Sequence, residues 1–284
     1  MVDKGKQALK RVEILRALVG FARQLQPTWN NVRSNLNDEK KLNQSLNHRQ
    51  QIIDSYLSQD RIKKLQVGAG TNPLSGWLNS DFEPTSEEII FLDATQTFPF
   101  GDNEFDYVFS EHMIEHIPYK EGMFMMKEIY RVLKPGGKAR IATPDIEKIV
   151  GLFSPQKQEE QKRYIEWKAN QIMGLYSPEP SRLQTYRKEW DIDYRHVNRY
   201  YPIIDEDGVC FIVNNFFHGY GHQYLYDARS LQAIAKEAGF IEITMCRPNE
   251  SDDEHLRSIE SHASLIGEEM NDFETMVLQA IRPR

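Results

Sequence analysis

Residues 67–81 read V-G-A-G-T-N-P-L-S-G-W-L-N-S-D, and the spacing inside this stretch decides the fold. An apolar run that ends in Gly68 and Gly70 is how a parallel strand opens onto a ligand, since backbone without Cβ atoms lets a ligand approach closely. A dinucleotide site would need G-x-G-x-x-G, with an acidic residue roughly 20 positions further on. Here position 73 is Pro, and Asp81 follows Gly70 by only 11 residues. What remains is a bare turn and one carboxylate suited to a ribose diol, with no Lys or Arg after the turn to meet a phosphate. The pattern predicts a nucleoside ligand without phosphates. A crossover between parallel strands normally takes a dozen or more residues, so this short link predicts a turn or a very short helix.

Working outward, short apolar runs alternate with turn signals from Lys64 onward, the pattern of a parallel α/β sheet. Strands are predicted at 64–68, 77–81, 89–93, 106–110 and 138–142. Met123, Met126, Ile129, Tyr130 and Leu133 share one face of a helix over 119–133, which Pro135-Gly136-Gly137 ends and turns into the next strand. A helix over Ala228–Ala238 stops at Gly239, and apolar strands at 240–246 and 274–281 form a closing pair. Upstream, helical spacing covers 4–25 and, less regularly, about 30–57. About 80 residues between Ile149 and Tyr226 fit no strand–helix alternation and are rich in aromatics, His, Arg and Asn. Such an interval inside a sheet protein is a subdomain or a lid, and function concentrates there.

Taken in order, these blocks resemble the class I S-adenosylmethionine-dependent methyltransferases, in their type 11-like form, over residues 61–145. The resemblance rests on "LQVGAGTN", on Asp81 at the end of the second strand, on "LDATQTFPFGDNEFDYVFSEHMIEHI" and on "EIYRVLKPGGKARIATPD". It implies an α/β doubly wound, seven-stranded, mostly parallel sheet of Rossmann-like methyltransferase type. The chain then divides into an N-terminal helical extension (1–60), the cofactor-binding half of the domain (61–148), an inserted aromatic-rich substrate or lid subdomain (149–226) and the C-terminal part (227–284). The implied cofactor is S-adenosyl-L-methionine, leaving as S-adenosyl-L-homocysteine. Gly68, Ala69 and Gly70 would lie under its methionine part, Asp81 at the ribose, Asp93 and the Ala94 amide at the adenine, and Ser110 and Glu111 near the sulfonium. Gln66 and Asn72 depart from the family's usual acid and third glycine; Gln66 would still hydrogen-bond the cofactor's amino group.

His112, His218 and His222 are the catalytic candidates, an imidazole serving as base or acceptor hydrogen-bonder. The segment "NNFFHGYGHQYLYD" is similar to one in a methyltransferase subgroup that often accompanies cell-surface polysaccharide genes. His196, in "YRHVNRYY", is a weaker candidate. Trp190, Tyr194, Tyr200, Tyr201, Phe216, Phe217 and Tyr220, with Arg195 and Arg199, offer flat and charged surfaces for an acceptor. A small molecule or glycan precursor methylated on oxygen is therefore expected. A cofactor-binding protein without turnover is the alternative. His112-Met113-Ile114-Glu115-His116 also spells H-x-x-E-H, a zinc-peptidase spacing, but no third ligand is evident and no metal is expected.

The net charge of -7 argues against nucleic acid as a partner. Residues 1–60 hold ten Lys/Arg against six Asp/Glu, about +4, which leaves about -11 on the remainder and marks a possible dock for a protein partner or for self-association. The longest uncharged apolar run near the start, Ala17–Ala22, is too short for a membrane span or signal core, and Cys210 and Cys246 show no metal spacing. A cytoplasmic protein with free thiols is the expectation.

Overall fold

The computed structural model describes residues 48–176 and 208–284. The helix expected over 4–25, His196, and the aromatic and Arg residues expected between 190 and 201 lie outside the described residues. After helix α1 (48–57) come strands β1 (Lys64–Val67), β2 (Leu78–Asp81), β3 (Ile89–Phe91) and β4 (Phe105–Glu111). A 3₁₀ turn at Ile114–His116, helix α2 (Tyr119–Val132) and strand β5 (Leu133–Pro144) follow. Helices α3 (Ile146–Gly151), α4 (Glu159–Tyr176), α5 (Val209–His218) and α6 (Ala228–Ala238) precede β6 (Ile241–Cys246). Short helices α7 (Ala263–Ile266) and α8 (Glu268–Glu274) then lead into β7 (Thr275–Ile281).

The seven strands form one sheet in the order β3-β2-β1-β4-β5-β7-β6. Five pair in parallel, and β7 runs antiparallel between β5 and β6. The order reverses at β1, so the cleft beyond the carboxyl ends of β1, β2 and β4 is the ligand-binding position of an open sheet. The β1–β2 link contains turns only, as the short spacing predicted, and the amides of Gly68 and Ala69 both donate to the Ser80 carbonyl at 2.9 Å.

Alternate residues of each strand face opposite sides of the sheet. On one side Val108, Ala139 and Ile141 pack against Met125, Ile129 and Val132 of α2 and Leu231, Ile234 and Ala235 of α6. Ile53 and Tyr56 of α1 join this core, so residues 48–57 belong to the main body although they fall within the expected extension. The Tyr56 hydroxyl secures them, accepting from Lys64 N at 2.9 Å. On the other side Phe109 and Trp77 meet Leu256, while Arg140 is fully buried against the carboxylate of Glu260. A second core joins Ile149, Tyr164, Val213, Phe216 and Leu225 of the expected insert to Met270 and Phe273 of α8. Among the described residues, no helix is long and apolar enough to cross a membrane.

The segment between β3 and β4 is stitched to α2. Arg131 donates to the Phe98 and Phe100 carbonyls and to Asp102, and Glu128 accepts from Phe98 N at 2.7 Å. These bonds fix the wall that carries Asp93 and Ala94.

Candidate active site

A cleft of ≈ 650 Å³ opens at the strand-order reversal, lined among others by Gly68, Gly70, Asp81, Asp93, Ala94 and His116. Its floor is the turn after β1. Gly68 has φ +79°, and a Cβ there would stand 2.6 Å from Met113 Cγ. Gly70 has φ +54°, and a Cβ there would meet nothing within 4 Å, because that position faces the open cleft. The Gly70 amide donates to Asp81 Oδ2 at 2.7 Å and the Glu83 amide to Oδ1 at 2.8 Å. Two backbone donors therefore aim one carboxylate, and each oxygen keeps lone-pair capacity for a ligand hydroxyl. At the end of β3, Asp93 Oδ1 accepts from Thr95 N at 2.9 Å and Thr95 Oγ1 at 2.7 Å, which presents the Ala94 backbone at the cleft wall. This donor set, with an open cradle over Gly70, fits a nucleoside carrying a ribose diol.

Other residues expected at the cofactor sit behind this lining. Gln66 is buried, and both ends of its amide are used by the turn: Oε1 accepts from Leu74 N at 3.0 Å and Nε2 donates to Asn72 O at 3.2 Å. These bonds shape the loop. Asn72 is exposed, and its amide donates to Ala69 O; Ala69 itself is buried. Ser110 is buried with its hydroxyl unpartnered. Glu111 accepts from Ser261 N, Ser261 Oγ and His262 N at 2.9–3.0 Å, so it anchors the segment before α7.

The H-x-x-E-H segment is a 3₁₀ turn, with His112 at φ +46° ahead of it. His112 Nδ1 lies 3.1 Å from Glu115 Oε1, and Nε2 lies 3.1 Å from Thr275 Oγ1, which itself donates to Asn271 Oδ1 at 2.9 Å. Both ring nitrogens therefore have a polar partner. Burial works against the charged form of His112, but the hydrogen bond and charge of Glu115, with Glu274 and Glu111, outweigh it and raise the pKa. Burial alone would raise the Glu115 carboxyl; His112 overcomes it and holds the group down at about 2. His112 lines the cleft and stacks on His262 at 3.8 Å between centroids, with both ring nitrogens engaged by protein partners.

Two further imidazoles lie close by. Gln223 N and Tyr224 N donate to Glu115 O at 2.8 and 3.2 Å, and Gln223 Nε2 to His116 O at 3.0 Å. These bonds lay the strand-like segment after α5 along the 3₁₀ turn and bring His222 beside His116, with ring centroids 5.1 Å apart. His222 Nδ1 is 2.7 Å from Phe216 O, so it carries the proton and Nε2 the lone pair. Burial pushes His222 below the ordinary histidine range. His218 is exposed on the last turn of α5, outside the cleft lining. The nearness of Glu115 and His116 to His222 was hidden in the sequence because His222 is more than a hundred residues away.

Residues 79–141 match the family model described as "Methyltransferase domain". Over this stretch, which carries β2 to β5, the chain is similar to methyltransferases of that family. Among curated proteins it is 54% identical over 44 residues to phosphoethanolamine N-methyltransferase 2 of Caenorhabditis elegans, which is 16% of this chain and 10% of that protein. It is also 29% identical over 119 residues to the biotin biosynthesis bifunctional protein BioHC of Cellvibrio japonicus, covering 33% of this chain and 22% of that protein. The match thus spans less than a quarter of either relative. A solved structure of a possible histamine N-methyltransferase from Thermotoga maritima aligns at 15% identity and TM-score 0.39, over 87% of this chain and 96% of that one.

Proposed function

We propose that the chain transfers a methyl group from S-adenosylmethionine to oxygen of a small molecule or glycan precursor. Asp81 carries the reading: a carboxylate aimed by the Gly70 and Glu83 amides over a glycine whose missing Cβ opens onto the cleft. In this reading Asp81 accepts from both ribose hydroxyls, Asp93 and the Ala94 backbone flank the adenine, and Gly68 and Gly70 leave room for the methionine portion.

When bound, S-adenosylmethionine supplies a methyl group on a sulfonium, an already activated leaving group. The chain's task is then alignment, which can supply about 7–11 kcal/mol, whereas a general base adds about 10²–10⁴ in rate. A hydroxyl acceptor would have to give up its proton as it is methylated. His116 on the cleft and His222 behind it, beside the Glu115 carboxylate, are the groups that ease this loss; His112 holds Glu115 in place.

An amine acceptor is the second reading. The 44-residue match to a phosphoethanolamine N-methyltransferase supports it, as do Glu83 and Glu121 on the lining, which suit a cation. Incubating the full chain with methyl-labelled cofactor and parallel sets of hydroxyl and amine acceptors separates the two. Label moving into the hydroxyl set supports the first reading and into the amine set the second. Tight cofactor binding with no transfer to either set would favour a binding protein without turnover.

A further inference from the structure

We propose that Glu115, His116 and His222 form a binding site for one divalent transition-metal cation of the zinc type, at the acceptor end of the cleft. One carboxylate oxygen of Glu115 and one nitrogen of each histidine all lie within 4.8 Å of one another. Two imidazoles and one carboxylate, with remaining positions open, are the ligand set of catalytic zinc sites. Magnesium and calcium take oxygen ligands, so this nitrogen-rich set selects against them.

Three observations mark the group as built rather than incidental. The His222 Nδ1–H is fixed on the Phe216 carbonyl at 2.7 Å, which leaves Nε2 as the ligating nitrogen. Ligating histidines are commonly held in this way through their second nitrogen. Glu115 is fully buried, with Oε1 held by His112 and Oε2 accepting from Thr143 Oγ1 at 2.9 Å; each oxygen retains a lone pair. The backbone that brings His222 over Glu115 is itself specialised. Tyr220 and Gly221 flank it at φ +59° and +74°, and a Cβ on Gly221 would stand 3.8 Å from His116 Nδ1.

This site rests on the methyltransferase reading and deepens it. A cation there would receive an acceptor through a hydroxyl or another oxygen and make the hydroxyl proton easier to lose, so the preferred acceptors are ones able to chelate, such as vicinal diols or hydroxy acids. The proton would pass to water, because both imidazole lone pairs would be engaged.

The test uses the untagged full chain, freed of metal by a chelator and then titrated separately with Zn²⁺ and Mg²⁺, with S-adenosylhomocysteine binding measured on the same samples. One equivalent of Zn²⁺ and no Mg²⁺ is expected. The Zn²⁺ equivalent should be lost in His222→Ala and in His116→Gln, whose side chain is part-exposed, and kept in His218→Ala. Thr143→Val, which removes only the bond orienting Glu115, should weaken Zn²⁺ about 10- to 100-fold. Retained S-adenosylhomocysteine binding in His222→Ala and Thr143→Val, neither of which changes the cleft lining, is expected and separates loss of the metal site from failure of the cofactor cleft. Absence of a stoichiometric Zn²⁺ equivalent in the wild type, or its survival in both His116→Gln and His222→Ala, would overturn the proposal.

Discussion

Replacing Asp81 by Ala removes the carboxylate that the cofactor's ribose is proposed to meet. Charge-assisted hydrogen bonds contribute about 1.5–3 kcal/mol each, so two ribose hydroxyls amount to about 3–6 kcal/mol. Asp81 is only partly buried at the mouth of an open cleft, which favours the lower end. About 3 kcal/mol is a loss of about a hundredfold in affinity. Asp81→Asn keeps one acceptor oxygen and the side chain's volume but loses the charge, so about tenfold is expected, one bond's worth. Isothermal titration with S-adenosylhomocysteine measures both variants, and thermal unfolding without ligand checks that the turn after β1 survives loss of the Gly70 and Glu83 bonds. A folded Asp81→Ala protein whose affinity lies within about threefold of wild type, under 1 kcal/mol, would refute the assignment of this carboxylate to the ribose.

Gly68 and Gly70 should separate stability from binding. An L-residue in the left-handed region costs roughly 1–2 kcal/mol at either position. Gly68→Ala adds a collision with Met113 and should show the larger drop in melting temperature, whereas Gly70→Ala should lose little more than the strain yet bind S-adenosylhomocysteine poorly, its methyl group standing in the cleft. Glu260→Ala leaves the buried Arg140 guanidinium without its carboxylate and should cost about 3–5 kcal/mol in urea denaturation. Burial would raise the Asp253 carboxyl, but Lys138, the His255 amide and Tyr107 overcome it and lower the pKa. Its stabilising contribution is therefore complete above the unfolded value of about 3.9 and is lost as pH falls below it. The stability gap between wild type and Asp253→Asn, measured by denaturation at several pH values, should narrow on the acid side; a gap that widens there would reverse the sign of the argument.

The sheet was legible because each strand carries its own apolar run and each turn its own glycine or proline. The β1–β2 link was legible for the same local reason: Pro73 and ten residues cannot hold a crossover helix. Asp81 and Asp93 could be singled out as strand-end residues because each closes a short run with its own strand signal, and both line the cleft. Gln66 could not, since its role depends on a turn folding back to offer Asn72 O and Leu74 N to its amide. The H-x-x-E-H spacing pointed to two histidines on one helix face, whereas His112 takes a positive φ and only Ile114–His116 form a 3₁₀ turn, so the two do not share a helix. Only tertiary structure could then join His116 to His222, through bonds from the Gln223 and Tyr224 amides. Tyr164 is a further example: its hydroxyl meets the buried carboxylate of Glu274, a contact no local pattern announces.

The most direct test of the central claim is a crystal structure of the full chain with S-adenosylhomocysteine. The expected density has the ribose hydroxyls on Asp81, the adenine between Asp93 and the Ala94 backbone, and the sulfur above Gly68 facing His116. Cofactor density elsewhere, for example in the depression beside β6 formed by Thr244, Asn249 and Asp253, or an empty cleft at saturating ligand, would contradict it.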